Sequence, residues 1–288
     1  MKKHIAGFFT GGYTELYALR VFFSKINSEL NIRQLCPHAQ RKSKEDILSR
    51  KQSLRETQID KSHSGLTGES LVDYICQIVK TPSFQAEMYD AILIEDDKDN
   101  RFLTVTDDGY SEINPTAWNE FKDDSIEKIH QAIRDIQPSM REANPEIPII
   151  FFFAAPEVEA WMISDWDNGF GSIFPDSLPR NKVGELKHEF KRVLEQNVLT
   201  PQYKDQLESY GFFDRKYVKL SEKIQKSLVS EDSFVTRVLP PETGFDYSSI
   251  HYSKKITGEK VLYQLVPEKV LIHCTFFFKE GYYSLKAL

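Results

Sequence analysis

Short unbroken apolar runs punctuate the chain, and helical spacing fills much of what lies between them. Residues 4–9 (His-Ile-Ala-Gly-Phe-Phe) predict a first strand. Thr10-Gly11-Gly12-Tyr13-Thr14-Glu15 predicts a tight turn, after which Leu16, Leu19, Val21, Phe22 and Phe23 give helical periodicity over 15–26. A strand, a glycine turn and a helix commonly open a parallel α/β sheet. Farther on, residues 90–94 predict a second strand and 149–153 (Ile-Ile-Phe-Phe-Phe) a third, the clearest buried strand of the chain. Helices are predicted around 44–57 and over 71–79 and 125–136, with charged helices near 183–196 and 217–228. Residues 270–278 form a last apolar run, read as core rather than interface. The expected fold is a mostly parallel α/β sheet flanked by helices over 1–170. A helical or mixed C-terminal region over 171–288 packs on it.

The second of these strands ends in a burst of acid, Ala91-Ile92-Leu93-Ile94-Glu95-Asp96-Asp97-Lys98-Asp99. Open α/β sheets bind their ligands beyond the carboxyl ends of the strands. Glu95, Asp97 and Asp99 alternate, so an extended backbone points them the same way. Carboxylates gathered in this manner repel one another unless a hard cation neutralises them, and Mg²⁺ prefers oxygen ligands. The alternative is a solvated acidic turn. Acids also follow the other two predicted strands: Glu15 after the first, and Glu157, Glu159 and Asp165 after the third. In a parallel sheet all three ends lie on one side.

Composition narrows the function classes. The 288 residues are 40% hydrophobic and 12% aromatic, as in a folded globular protein, and the net charge is −6. No global basic field advertises nucleic acid, although a local patch or a bridging metal would serve. The basic residues Arg41, Lys42, Lys44, Arg50, Lys51 and Arg55 either touch phosphates or form a solvated face interleaved with Glu45, Asp46 and Glu56. Three scattered cysteines, Cys36, Cys76 and Cys274, fit reduced thiols and give no zinc spacing. The histidines are isolated, and no Walker-type phosphate loop is present. The amino-terminal apolar stretch is too short for a signal peptide or a membrane span. A cytoplasmic protein with no membrane association is expected.

The order Gly12-Tyr13-Thr14-Glu15 after the first strand, then an acidic motif after an apolar strand, resembles the TOPRIM fold of nucleases and topoisomerases. The segment from Glu159 to Asp165 narrows the likeness. It resembles a bacterial TOPRIM-like family related to OLD-type nucleases and often encoded beside ABC/SMC-type ATPases. Tyr252-Ser253-Lys254-Lys255 with Thr257-Gly258 and the Val-Pro-Glu-Lys-Val run at 266–270 is similar to the C-terminal signature of that family. One departure stands out: Gly11 occupies the place of the usual first-loop glutamate, and Glu95 replaces the aspartate usual at the head of the acidic motif.

The resemblance implies a metal-dependent nuclease acting on DNA or RNA, tRNA included, in anti-phage defence with an ATPase partner. Mg²⁺ or Mn²⁺ would be held by Glu15, Glu95, Asp97 and Asp99. Glu15, Glu95, Asp97, Glu159 and Lys255 would carry the chemistry, and Gly11, Gly12 and Lys254 would meet the substrate phosphate. The alternatives are a TOPRIM-like subunit that lost catalysis and serves as an interaction module, or a Mg²⁺-dependent phosphatase or nucleotidyl-transfer enzyme. Glu159 has a second reading as a structural acid of its helix, Lys254 and Lys255 as surface lysines, and Gly11 and Gly12 as residues of a turn that needs positive φ.

Overall fold

The computed structural model describes residues 2–10, 15–37, 65–98, 100–136, 146–174, 177–229, 234–239, 250, 252 and 257–288, with backbone only at 15–17 and 229. In chain order the first half contains β1 (Lys3–Phe9), α1 (Glu15–Ile26), β2 (Leu30–Cys36), α2 (Gly68–Val79), α3 (Pro82–Ala86) and β3 (Ala91–Asp97). A small hairpin follows, β4 (Leu103–Val105) and β5 (Ser111–Ile113), then α4 (Pro115–Arg134), β6 (Ile149–Ala154) and α5 (Glu159–Ser164). The second half holds α6 (Arg180–Asn197), a hairpin of β7 (Phe212–Phe213) and β8 (Lys216–Tyr217), α7 (Leu220–Val229), α8 (Phe234–Val238), α9 (Glu259–Gln264), α10 (Pro267–Val270) and α11 (Phe277–Lys286).

The central sheet is four-stranded and all parallel, in the order β2-β1-β3-β6. The chain runs outward from β1 to β2 on one side and returns to β3 on the other. The strand order therefore reverses between β1 and β3, the place where open α/β sheets form a ligand crevice at their carboxyl edge.

Two apolar layers cover the sheet. Alternate strand residues Phe9, Ala91, Leu93, Phe152 and Ala154 face the layer that holds Phe22 and Phe23 of α1, Trp161 of α5 and Phe278 of α11. Trp161 is fully buried and stacks on Phe22 with ring centroids 5.3 Å apart. Phe8, Ile92, Ile94, Phe151 and Phe153 face the other layer, with Leu71 and Ile75 of α2 and Trp118 and Ile129 of α4. The first layer continues without a break into the second half of the chain, through Phe170, Phe190, Phe234, Tyr252 and Leu262. Among the described residues no helix is long and apolar enough to cross a membrane.

The structure revises several sequence expectations. The strand expected to be second is third, because Leu30–Cys36 forms a strand of its own at the sheet edge beside β1. β3 does not stop at Ile94 but runs through Glu95, Asp96 and Asp97, because pairing with β6 continues to Asp97 opposite Ala154. The acids lie within the strand rather than past it. The helix expected over 125–136 begins at Pro115, where the Asn114 side chain accepts from the Ala117 amide at 3.1 Å, a standard N-cap. The run at 270–278 is a helix end, a turn and a helix start. Val270, Cys274, Phe277 and Phe278 are buried, while Ile272 is 59% exposed. The basic stretch 41–55 lies outside the described residues.

Candidate functional site

β1 and β3 end side by side, and Thr10 stitches them together. Its amide donates to the Glu95 carbonyl at 3.0 Å and faces Glu95 Oε2 at 3.3 Å. Its hydroxyl accepts from the Asp97 amide at 3.0 Å and lies 3.1 Å from the Glu95 carbonyl and 3.4 Å from Asp96 Oδ1 as a donor. One small side chain at the switch point thus holds three consecutive acidic residues in extended geometry.

The pleat then sorts those residues. Glu95 and Asp97 continue the Ala91, Leu93 row toward α1 and α5, whereas Asp96 and Lys98 continue the Ile92, Ile94 row toward α2 and α4. Glu95 is fully buried and Asp97 half-buried. The expectation that these two point the same way agrees with this row. The α1 helix starts at the same edge, at Glu15, and α5 starts there at Glu159.

The even row makes a structural lock. Asp96 accepts from the Gly68 amide at 2.9 Å and pairs with Arg101 Nη2 at 2.7 Å. Gly68 has φ +56°, and a Cβ there would sit 2.6 Å from Arg101 Nη1, so this position takes glycine on both counts. The Arg101 guanidinium also donates to the Asp97 carbonyl and stands 5.5–5.8 Å from the rings of Phe102, Phe121 and Phe153. Burial pushes the Asp96 carboxyl above its ordinary range, and the Arg101 charge opposes that push. Lys98 is fully buried, with its ammonium 5.8 Å from the centre of the Phe277 ring.

Two more acids at this edge have defined tasks. Glu157 accepts from both the amide (2.8 Å) and the hydroxyl (3.0 Å) of Ser221, capping α7. Glu159 is fully buried, and the Tyr252 hydroxyl donates to its Oε1 at 2.7 Å. This bond brings Tyr252 to the first turn of α5. Asp165, at the far end of α5, accepts from the Val266 amide at 2.7 Å and from Asn168, and lies 3.6 Å from the Lys269 ammonium. It belongs to a groove with Trp166, Lys191, Lys204 and His273 rather than to the acidic edge.

Of the residues singled out by sequence, Glu95 and Asp97 lie at the end of β3 and Glu159 at the start of α5, on the same edge of the sheet but not gathered into one cluster. The Glu15 side chain, Gly11, Gly12, Asp99, Lys254 and Lys255 lie outside the described residues. The donors present are oxygen-only, the type that suits Mg²⁺ or Mn²⁺. Among the described residues, no three His, Cys, Asp or Glu side chains are grouped as a metal shell.

Sequence reasoning missed Thr10, Arg101 and Glu157 as organisers of the edge. An arginine five residues past an aspartate was the available signal for the first lock. Nothing local marks Glu157 as the cap of a helix that begins more than sixty residues later. Comparison with models of known families, with curated proteins and with solved structures gave no match for this chain.

Proposed function

We propose that the protein is a Mg²⁺- or Mn²⁺-dependent phosphodiester hydrolase of DNA or RNA, built on a TOPRIM-like core. The observation that carries this reading is the pair Glu95 and Asp97, on one face of the carboxyl edge where the sheet order reverses. A bound divalent cation would neutralise the scissile phosphate and lower the pKa of an attacking water. Glu95 and Asp97, with Glu15 and Asp99, are the residues to hold it. Glu159, fixed by Tyr252, orients water or a neighbouring ligand, and Lys254 and Lys255 are the lysines that the sequence resemblance assigns to the phosphate. The link to OLD-type nucleases, anti-phage defence and an ABC/SMC-type ATPase partner rests on the sequence resemblance.

A second reading has its own support. Gly11 stands in place of the first-loop glutamate, while Asp96 is committed to Arg101 and Glu159 to Tyr252. This is the pattern expected of a subunit that kept the fold as an interaction module.

Calorimetric titration with Mg²⁺ and Mn²⁺ separates the two. The hydrolase reading expects binding by the wild type, its loss in Asp97→Ala, and polynucleotide cleavage that disappears in the same variant. Absence of metal binding by the wild type overturns it in favour of the module.

A further inference from the structure

The chain carries a net charge of −6, yet one short segment runs the other way. Between 214 and 226, Arg215, Lys216, Lys219, Lys223 and Lys226 face only Asp214 and Glu222. Some surface cations elsewhere are paired, as in Arg33 with Glu87, Lys128 with Asp73, Lys182 with Glu185 and Arg192 with Glu189. Among the described residues, none of the five forms an ion pair.

Helix geometry arranges them. In α7, Leu220, Ile224 and Leu228 form the buried stripe. At 100° per residue, Lys223 and Lys226, with Lys219 just before the helix, fall within an arc of about 60° on one flank of that stripe. Arg215, Lys216, Lys219 and Lys226 are exposed. Lys223 is half-buried, its ammonium 5.2 Å from the centre of the Phe213 ring, which fixes the middle of the stripe.

Two points of this segment, its start and the first turn of α7, are tied to elements that follow β3 and β6. Glu157, just past β6, caps the first turn of α7 through Ser221. The Arg215 amide donates to the Gly109 carbonyl at 2.9 Å, joining the β7–β8 turn to the hairpin that follows β3. These ties fix the basic segment to the two chain stretches that follow β3 and β6.

We propose that the 215–226 segment is a polynucleotide-binding arm whose lysine stripe holds a phosphate backbone beside the acidic edge. The identity of the ligand rests on the phosphodiesterase reading above. An anionic membrane surface fits less well, because lysine-rich membrane helices pair their charges with exposed apolar residues. The exposed large apolar side chains among the described residues, Met88, Val105, Tyr263, Ile272 and Tyr283, all lie outside 212–228.

The test is equilibrium binding of the full chain to fluorescein-labelled mixed-sequence oligonucleotides (single-stranded DNA, duplex DNA and RNA) in EDTA, where metal-dependent cleavage cannot run. The wild type and the Lys219→Gln/Lys223→Gln/Lys226→Gln variant are compared across a salt series. Circular dichroism confirms that the variant is folded. The variant is expected to lose at least about tenfold in affinity, and its slope of log K against log salt to shrink by about 2 to 3. Equal affinity and slope in the two proteins overturn the arm. So does a wild type that binds none of the oligonucleotides, or one that binds phosphatidylserine vesicles instead. Binding in EDTA with no cleavage in Mg²⁺ supports the arm and overturns the hydrolase reading alone.

Discussion

The Tyr252 hydroxyl donates to Glu159 Oε1 at 2.7 Å, across 93 residues of chain. Both residues are buried, and Phe170 packs edge-on against the tyrosine ring at 5.0 Å. Removing the hydroxyl takes a partner from a buried carboxylate, so Tyr252→Phe is expected to cost about 1 to 3 kcal/mol. Urea denaturation in a double-mutant cycle with Glu159→Gln checks this: a coupling free energy near zero would mean that the bond contributes nothing.

Glu208 supplies a prediction about pH. Its carboxylate accepts from the amides of Phe276 (2.5 Å) and Phe278 (2.8 Å) at the start of α11, and it is fully buried. Burial raises its pKa from an ordinary 4.5 to about 7, against the opposing pull of those amides and of the Lys98 charge. A raised folded-state pKa means that the native chain holds this proton more tightly than the unfolded chain. The associated stability is complete below about pH 4.5 and falls away as pH rises to about 7, a loss of about 3 kcal/mol across the window. The stability gap between wild type and Glu208→Gln should therefore move against the wild type over that range. A gap that stays constant with pH would refute the assignment.

Gly281 lies in the middle of α11, where alanine would ordinarily be worth about 0.5 to 1 kcal/mol over glycine. Here a Cβ would meet the Phe151 carbonyl oxygen at 2.5 Å and the Phe152 ring at 2.9 Å. Overpacking of this kind costs about 1 to 3 kcal/mol, which exceeds the helix gain. Gly281→Ala should lower the thermal midpoint, and a raised midpoint would show that α11 sits less tightly on β6.

The sequence made the inner sheet legible because its strands are continuous apolar runs, and the Glu15–Ile26 helix matched its predicted bounds because the glycine turn and the periodicity agree. The edge strand Leu30–Cys36 escaped because it is half-exposed, alternating leucine and isoleucine with asparagine and arginine over only seven residues. α11 escaped for the opposite reason: Phe276, Phe277 and Phe278 look like a strand until the spacing of Phe278, Tyr282 and Leu285 is counted. At the site, the shared direction of Glu95 and Asp97 followed from the period of a strand. The lock of Asp96 on Arg101 and the cap of Glu157 on Ser221 are properties of the folded chain, set by which elements happen to meet.

The parity of β3 has a consequence for how this edge can change. Odd positions carry the candidate ligands and even positions carry the lock, so a side chain on one row can be exchanged while the other row keeps its place. Asp97 can thus be lost while Asp96 still anchors the strand, leaving an intact fold without one of the proposed ligands. Length has no such freedom. Inserting or deleting one residue between Ile94 and Lys98 would turn the lock toward α1 and the ligands toward α2, disabling both rows in a single event.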